Sequence, residues 1–143
     1  MLVNQILKGK SSQNIISIGP DEDILTAVSL LSKNRIGALV VFDDKELLVG
    51  IVSERDIVRE IGVRGSQVLN LSVKDLMSKK VVTCNTNQTA FDVLNKMTLG
   101  RFRHIPVMDN MKMVGMISIG DVVKARLGEL NMEKQALEEY IGH

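Results

Sequence analysis

The chain contains 143 residues, of which 45% are hydrophobic and 24% charged, a composition typical of globular rather than disordered proteins. Its 18 Lys and Arg residues nearly balance 17 Asp and Glu residues, whereas proteins that bind nucleic acid are usually strongly basic. The single cysteine excludes an internal disulfide and a cysteine-rich zinc site. No signal peptide and no membrane-spanning apolar run are evident, so the sequence predicts a cytoplasmic protein.

The first half of the chain predicts the element order β-α-β-β-α. The predicted elements are a strand at 15–18, a helix from 24, strands at 36–42 and 47–52, and a helix from 53. Either Asp21 or Asp23 can cap the first of these helices. Glycines and small polar residues at 62–72 indicate a linker.

The second half predicts the same order again. The predicted elements are a strand at 81–84, a helix at 90–99, strands at 105–108 and 113–117, and a helix beyond 121. Thr86 is the predicted cap of the 90–99 helix. Cys84 lies within an apolar strand, where we expect it to pack as a small buried residue.

The two halves align as an internal repeat at a nearly constant offset. Residues 15–18 match 81–84 at an offset of 66, and residues 50–56 match 115–121 at an offset of 65. The leading segment 3–7 also resembles 73–77. We therefore predict an α/β fold of tandem β-α-β-β-α repeats.

We place the repeats at 1–61 and 73–127, joined by the linker 62–72 and followed by a C-terminal helical extension at 128–143. A unit of this size buries only about 60% of its unfolded surface, and is marginal alone. We therefore expect the two repeats to pack sheet against sheet with pseudo-two-fold symmetry.

A stripe of apolar residues follows the C-terminal helix, which we expect to be interrupted at Gly128. The stripe residues recur at a spacing near 3.5 residues and are Val123, Leu127, Leu130, Leu137 and Ile141. The charged Lys134 lies among them. It either packs on the body of the chain or forms a surface for self-association. The spacing favours neither alternative.

Segments 50–56 and 115–121 share the pattern Gly-h-h-Ser-x-x-Asp, where h is apolar. A serine followed three residues later by an acidic residue is typical of a helix N-cap, which contributes about 1 kcal/mol. The same geometry suits a nucleotide, because N–H groups at a helix start bind phosphate and an aspartate accepts hydrogen bonds from two adjacent ribose hydroxyls. Both interpretations apply to each copy.

This pattern, closing a β-α-β-β-α unit and present twice, resembles the cystathionine-β-synthase-type (CBS) domain pair, or Bateman module. The resemblance covers residues 1–127 and is to the small stand-alone bacterial members. It implies regulatory binding of AMP, ADP, ATP or NAD(H) in clefts between the repeats. It also implies a homodimer, in many members a flat disc of four domains.

The resemblance assigns roles to individual residues. Asp56 and Asp121 match the aspartates that bind ribose, and Ser53 and Ser118 match the hydroxyls on the phosphate side. The residues that match the backbone at the adenine edge are Ile16, Ser17, Val82 and Thr83. The residues that match the wall of the adenine pocket are Gly37, Ala38, His104, Ile105 and Pro106.

The basic residues near the two signatures differ. Arg101 and Arg103 share one face of a predicted strand, whereas the first copy has Gly37 opposite Arg103. The first copy instead carries Arg55, where the second has Gly120. Arg103 is either a phosphate ligand or a surface charge.

We expect the differences between the two signatures to give the two sites different affinities. Gly120 permits a phosphate to approach the backbone closely, whereas Glu54 places a negative charge near the phosphate position of the first copy. The sequence therefore predicts tighter mononucleotide binding at Asp121 than at Asp56.

Catalytic motifs are missing from the sequence. It contains no phosphate-binding loop, dinucleotide turn, nucleophile elbow or metal-ligand cluster, so we expect no enzymatic activity, no catalytic cofactor and no metal. The main hypothesis is a nucleotide-sensing module that acts on an effector protein, with neither nucleic acid nor membrane as a partner. The alternative is a ligand-independent oligomerisation or adaptor domain, in which the signatures act only as helix caps.

Overall fold

The computed structural model describes residues 1–10 and 15–142. In chain order its elements are α1 (Val3–Lys8), β1 (Ser17–Ile18), α2 (Ile24–Asn34), β2 (Ala38–Phe42), β3 (Leu48–Ser53), α3 (Glu54–Arg64), a 3₁₀ turn (Ser66–Asn70), α4 (Val73–Leu76), β4 (Cys84–Asn85), α5 (Ala90–Gly100), β5 (His104–Asp109), β6 (Lys112–Ser118) and α6 (Ile119–Ile141). The predicted α/β class and the duplicated β-α-β-β-α order are confirmed.

The chain folds as two compact units, each with its own three-stranded sheet. In the unit of Ile15–Val81, β1 is parallel and β3 antiparallel to the central β2, with Ala38 opposite Ser53. The other unit has the same arrangement of β4, β5 and β6, with His104 opposite Ser118. Both sheets therefore align the start of the middle strand with the signature serine.

The leading helices belong to the opposite repeats from those that they precede in sequence. Helix α1 lies in the unit that contains Val82–His143, and α4 lies in the unit of Ile15–Val81. Val3, Ile6 and Leu7 of α1 are buried in the core of the second repeat. The compact units therefore differ from the sequence repeats, because each leading helix belongs to the unit of the other repeat. The boundaries 1–61 and 73–127 stay predictions.

Each unit has one apolar core, and none of the buried residues among those described is polar or charged. Cys84 is only 3% exposed, which confirms its predicted packing role. Burial raises the pKa of its thiol to about 11, although the positive charge of Lys96 acts in the opposite direction.

A signature glycine in each unit permits the leading helix to pack closely on a strand. A β-carbon at Gly115 would lie 2.7 Å from Leu7 Cδ2, and one at Gly50 would lie 2.5 Å from Met77 Sδ. Ordinary carbon–carbon contacts are about 3.5–4.0 Å, so any larger residue at these positions requires the side chain of Leu7 or Met77 to shift. These glycines therefore have a packing role, independent of any ligand.

Several local predictions are corrected by the structure. The first strand of each repeat contains two residues rather than four. Asp23 caps α2 as predicted, but Thr89 rather than Thr86 caps α5. Thr89 and Asp92 form a reciprocal capping box, which satisfies two N–H groups at once.

Helix α6 runs without a break from Ile119 to Ile141, so the predicted interruption at Gly128 is wrong. An isolated glycine costs a helix about 1 kcal/mol relative to alanine, which is too little to end one of this length. All five stripe residues are exposed, from 43% for Val123 to 72% for Ile141. The described residues therefore leave much of the stripe uncovered.

Candidate functional site

The two signatures lie where a strand leads into a helix, β3 into α3 and β6 into α6. Ser53 and Ser118 are the N-caps, and each hydroxyl oxygen accepts a 3.2 Å hydrogen bond from the N–H of the signature aspartate. The capping interpretation is thus confirmed for both copies. It does not exclude a ligand, because a cap occupies only part of the hydrogen-bonding capacity of a helix start.

The entry of the middle strand also contacts each helix start. The N–H of Glu54 donates to the carbonyl of Gly37 at 2.9 Å, and the N–H of Ile119 donates to the carbonyl of Arg103 at 2.8 Å. The N–H groups of Arg55 and Gly120 have no acceptor within the described residues, and both residues are exposed. Within the described part of the chain, each helix start therefore retains one N–H group that can donate a hydrogen bond to an anion.

In the first repeat the aspartate is held by residues close to it in sequence. The Ser53 hydroxyl donates to Asp56 Oδ2 at 2.8 Å, and Arg59 Nη2 lies 3.1 Å from Asp56 Oδ1. The Asp56 side chain is 35% exposed and that of Arg59 is 67% exposed. Each carboxylate oxygen accepts one bond here, which leaves one acceptor position on each.

In the second repeat both partners of the aspartate bind the same oxygen. The backbone N–H of Ser118 and the ammonium of Lys10 each donate to Asp121 Oδ2 at 2.9 Å. Lys10 also donates to the carbonyl of Met116 at 2.8 Å. Burial by itself raises the pKa of Asp121, but the hydrogen bonds with Ser118 and the Lys10 charge outweigh it and hold that pKa below its ordinary value of 3.8.

The adenine-edge residues lie at the first strands of the two sheets. Ser17 begins β1 and pairs with Val40 of the central strand. Val82 and Thr83 precede β4, because the strand in the structure begins at Cys84 rather than at residue 81 as predicted. The Thr83 carbonyl accepts a 2.8 Å hydrogen bond from Lys96 Nζ. One of the predicted adenine contacts is thus already engaged within the protein.

Residues of the middle strands lie beside their signatures. Ala38 is opposite Ser53, and Pro106, which is buried, is opposite Met116. His104 pairs with Ser118 in the strand register. Each unit therefore brings together its predicted pocket-wall and phosphate-side residues.

The arginines are distributed differently from the prediction. Arg101 is the left-handed C-cap of α5, with φ of 57°, and β5 begins only at His104. Arg101 and Arg103 therefore do not share a strand face, and that prediction is wrong. The side chains of Arg103 and Arg55 are exposed beside their signatures.

Three basic residues that contact the candidate sites were missed. Arg59 is three residues from Asp56 on one helix, a spacing that sequence alone could have identified. Lys96 and Lys10 lie 13 and 111 residues from Thr83 and Asp121, respectively, and nothing in the local sequence connects them.

Residues 1–10 and 15–142 contain no cluster of three or more His, Cys, Asp or Glu side chains that could hold a metal ion. Over the same residues, no helix has the length and apolar character needed to cross a membrane.

Comparison with known families finds a match in each half of the chain. The family model for the CBS domain matches residues 4–63 and 73–128. The Arabidopsis thaliana protein named "CBS domain-containing protein CBSX3, mitochondrial" is 37% identical over 139 residues, which cover 94% of this chain and 68% of that protein.

Solved structures resemble most of the chain. The CBS-domain containing protein ATU1752 from Agrobacterium tumefaciens is 42% identical, with a TM-score of 0.83, and the match covers 87% of this chain and 92% of that one. The CBS domain pair of protein MJ0100, in complex with 5′-methylthioadenosine and S-adenosyl-L-methionine, is 25% identical with a TM-score of 0.78. That match covers 90% of this chain and 98% of the other.

Proposed function

Because this chain belongs to the CBS-domain family, we propose that it is a regulatory module that binds an adenosine nucleotide and catalyses no reaction. The observation that carries the proposal is the duplicated pair of serine and aspartate at a helix start, each with an unused N–H donor beside it. The MJ0100 domain pair, a structural relative, binds two ligands that contain adenosine. AMP, ADP, ATP and NAD(H) all carry the same adenosine group.

Each chemical part of the nucleotide has a counterpart in the second repeat. The Asp121 carboxylate accepts hydrogen bonds from ribose hydroxyls, and the N–H of Gly120 donates to phosphate at the positive end of the α6 dipole. Among the described residues, a β-carbon at residue 120 would contact only Ser118 Oγ, at 3.7 Å, so other segments do not crowd this helix start. Arg103 supplies a positive charge beside it.

The first repeat has the same serine, aspartate and N–H donor, but an acidic residue lies next to that donor. Glu54 is exposed at the first position of α3, next to the N–H of Arg55. Its carboxylate repels a phosphate that approaches that donor, whereas the second repeat has the uncharged Ile119 at this position. We therefore propose that the second repeat binds a mononucleotide more tightly than the first.

Calorimetric titration with AMP tests this order of affinities. The variants Asp56→Asn and Asp121→Asn keep the size of the side chain and each removes one carboxylate. We expect Asp121→Asn to abolish the tighter binding event and Asp56→Asn to leave it in place. Tight AMP binding that persists in Asp121→Asn would refute the assignment.

A panel of ligands distinguishes nucleotide sensing from the alternative adaptor function. A ligand at 100 times its dissociation constant stabilises the folded state by roughly 2.7 kcal/mol. Thermal unfolding with AMP, ADP, ATP, NAD and NADH therefore identifies a binding nucleotide by a rise in Tm. An unchanged Tm with all five would favour the adaptor, in which Ser53 and Ser118 act only as helix caps.

We also propose that the protein forms a homodimer through α6. Its exposed stripe follows alternating steps of four and three residues, at positions 123, 127, 130, 134, 137 and 141. In an antiparallel pairing of two such helices, Lys124 faces Glu138 of the partner subunit, and Lys134 faces Leu130 of the partner subunit. The opposite charges at 124 and 138 favour this direction.

Sedimentation analysis tests the dimer. Leu130→Lys places two like charges against each other in the antiparallel pairing, so we expect monomers at concentrations where the wild type is dimeric. Met111→Lys, at an exposed position in the turn between β5 and β6, is the matched control and should remain dimeric. An unchanged dimer in Leu130→Lys would refute the α6 interface. The cytoplasmic location stays a prediction from the sequence.

A further inference from the structure

Lys10 occupies the carboxylate that we assign to ribose binding in the second repeat. Its ammonium lies 2.9 Å from Asp121 Oδ2 and also donates to the carbonyl of Met116. The side chains of Lys10 and Asp121 are 28% and 23% exposed, so the pair is partly shielded from solvent. This is a defined ion pair with a second anchor, rather than a solvated contact on the surface.

The contact alters which hydrogen bonds Asp121 can still accept. Oδ2 accepts bonds from the N–H of Ser118 and from Lys10, and two acceptor positions are all that a carboxylate oxygen has. Two adjacent ribose hydroxyls that bind one to each carboxylate oxygen therefore find Oδ2 full. At Asp56 the partners are divided between Oδ1 and Oδ2, and both oxygens can accept another bond.

We propose that Lys10 lowers the affinity of the second-repeat site for its ligand, because its ammonium competes with ribose hydroxyls for Asp121. This inference rests on the proposed nucleotide-binding function. The diol of the ligand must displace Lys10 from Oδ2, and the free energy of the ion pair is subtracted from the binding free energy. Among the described residues, the corresponding carboxylate of the first repeat is held only by Ser53 and Arg59, which lie within three residues of it in sequence.

Adenosine is the appropriate probe, because it carries the ribose diol without a charge that Lys10 could attract. Titration calorimetry is carried out on the full chain with Asp56→Asn, so that the heat reports on the second repeat. We expect Lys10→Met in this background to bind adenosine about tenfold more tightly, since a hydrogen bond to a charged group contributes at least that much. Lys8→Met, an exposed lysine two residues away on α1, is the matched control and should leave the affinity unchanged.

Salt provides a second measurement that a purely structural role for Lys10 would not affect. Ions screen the partly exposed pair, so adenosine should bind more tightly to the Asp56→Asn protein at 0.5 M than at 0.05 M NaCl. The salt dependence should vanish in the variant with Lys10→Met. Circular dichroism at both salt concentrations verifies that the variants remain folded.

The possible outcomes separate this inference from the function on which it rests. Unchanged or weaker adenosine binding in Lys10→Met, together with measurable binding in its parent, would overturn the role of Lys10 alone. If neither protein binds adenosine or AMP, the proposed function fails as well. Tighter binding that also occurs in Lys8→Met would indicate a general effect of charge and would overturn the inference.

Discussion

Replacement of Gly115 by valine tests the packing role of the signature glycine. Its β-carbon would lie 2.7 Å from Leu7 Cδ2 and 3.3 Å from Leu7 Cδ1, roughly 1 Å closer than ordinary contact. Gly115 is buried and Leu7 is only 8% exposed, so neither can move into solvent without loss of core packing. The valine therefore requires the Leu7 side chain to repack or α1 to shift away from β6.

The expected cost follows from two opposing effects. Overpacking of a core typically costs about 1–3 kcal/mol, and removal of a glycine from a strand restores roughly 0.5–1 kcal/mol. We therefore expect Gly115→Val to lower the free energy of unfolding by about 1–2 kcal/mol, which lowers Tm by roughly 3–6 °C for a chain of this size.

Urea denaturation and thermal unfolding measure this cost. Gly128→Ala is the matched control, because a β-carbon there has no neighbour within 4 Å among the described residues, and it should stabilise α6 by about 0.5–1 kcal/mol. Leu7→Ala should cost less in the Gly115→Val background than alone, by at least about 1 kcal/mol. A neutral Gly115→Val, or strict additivity with Leu7→Ala, would refute the reasoning.

Three further predictions concern single residues. Arg101→Gly should raise stability by about 0.5–1 kcal/mol in urea denaturation, because glycine adopts φ of 57° without the clash of a β-carbon; a loss of stability would contradict this. Cys84, with burial raising the pKa of its thiol to about 11, should react with a thiol reagent at pH 8 only as fast as the protein unfolds, and rapid reaction would indicate an accessible thiol. Asp121→Asn should destabilise the protein by about 1–2 kcal/mol at pH 7. Because the pKa of Asp121 is lower in the folded state than its ordinary 3.8, the stability it contributes is present above about pH 4 and is lost as the pH falls through the folded value. The difference between wild type and variant should therefore shrink in urea denaturation at pH 3, and a constant difference would exclude the charge as its cause.

Sequence periodicity and the internal repeat were sufficient to predict the arrangement within each unit. Alternating apolar residues and short polar turns determine the hairpins, and the offset between the copies then relates the two signatures. The positions of Ser53 and Ser118 at helix starts follow from local capping chemistry. The capping residue of α5 was mispredicted because Thr89 and Asp92 form the stronger reciprocal pattern, which the sequence contains and which was overlooked in favour of Thr86.

Contacts between distant segments could not be predicted in the same way. The leaders 3–7 and 73–77 have nearly the same apolar pattern, so neither sequence specifies which core it enters. The exchange of α1 and α4 depends on the path of the whole chain rather than on local preference. The Lys10 ion pair is a consequence of that exchange, because α1 brings Lys10 to the second repeat. The site was therefore predictable in its repeated parts, and unpredictable where a residue outside the repeat alignment contributes.

The most direct test of nucleotide binding compares the wild type with the double variant Asp56→Asn, Asp121→Asn in a calorimetric titration with AMP. Both substitutions preserve side-chain size, and circular dichroism establishes that the double variant is folded. We predict saturable binding to the wild type and loss of that binding in the folded double variant. AMP binding of equal affinity in both proteins would contradict the assignment of the signature aspartates, and its absence from the wild type would contradict AMP as a ligand.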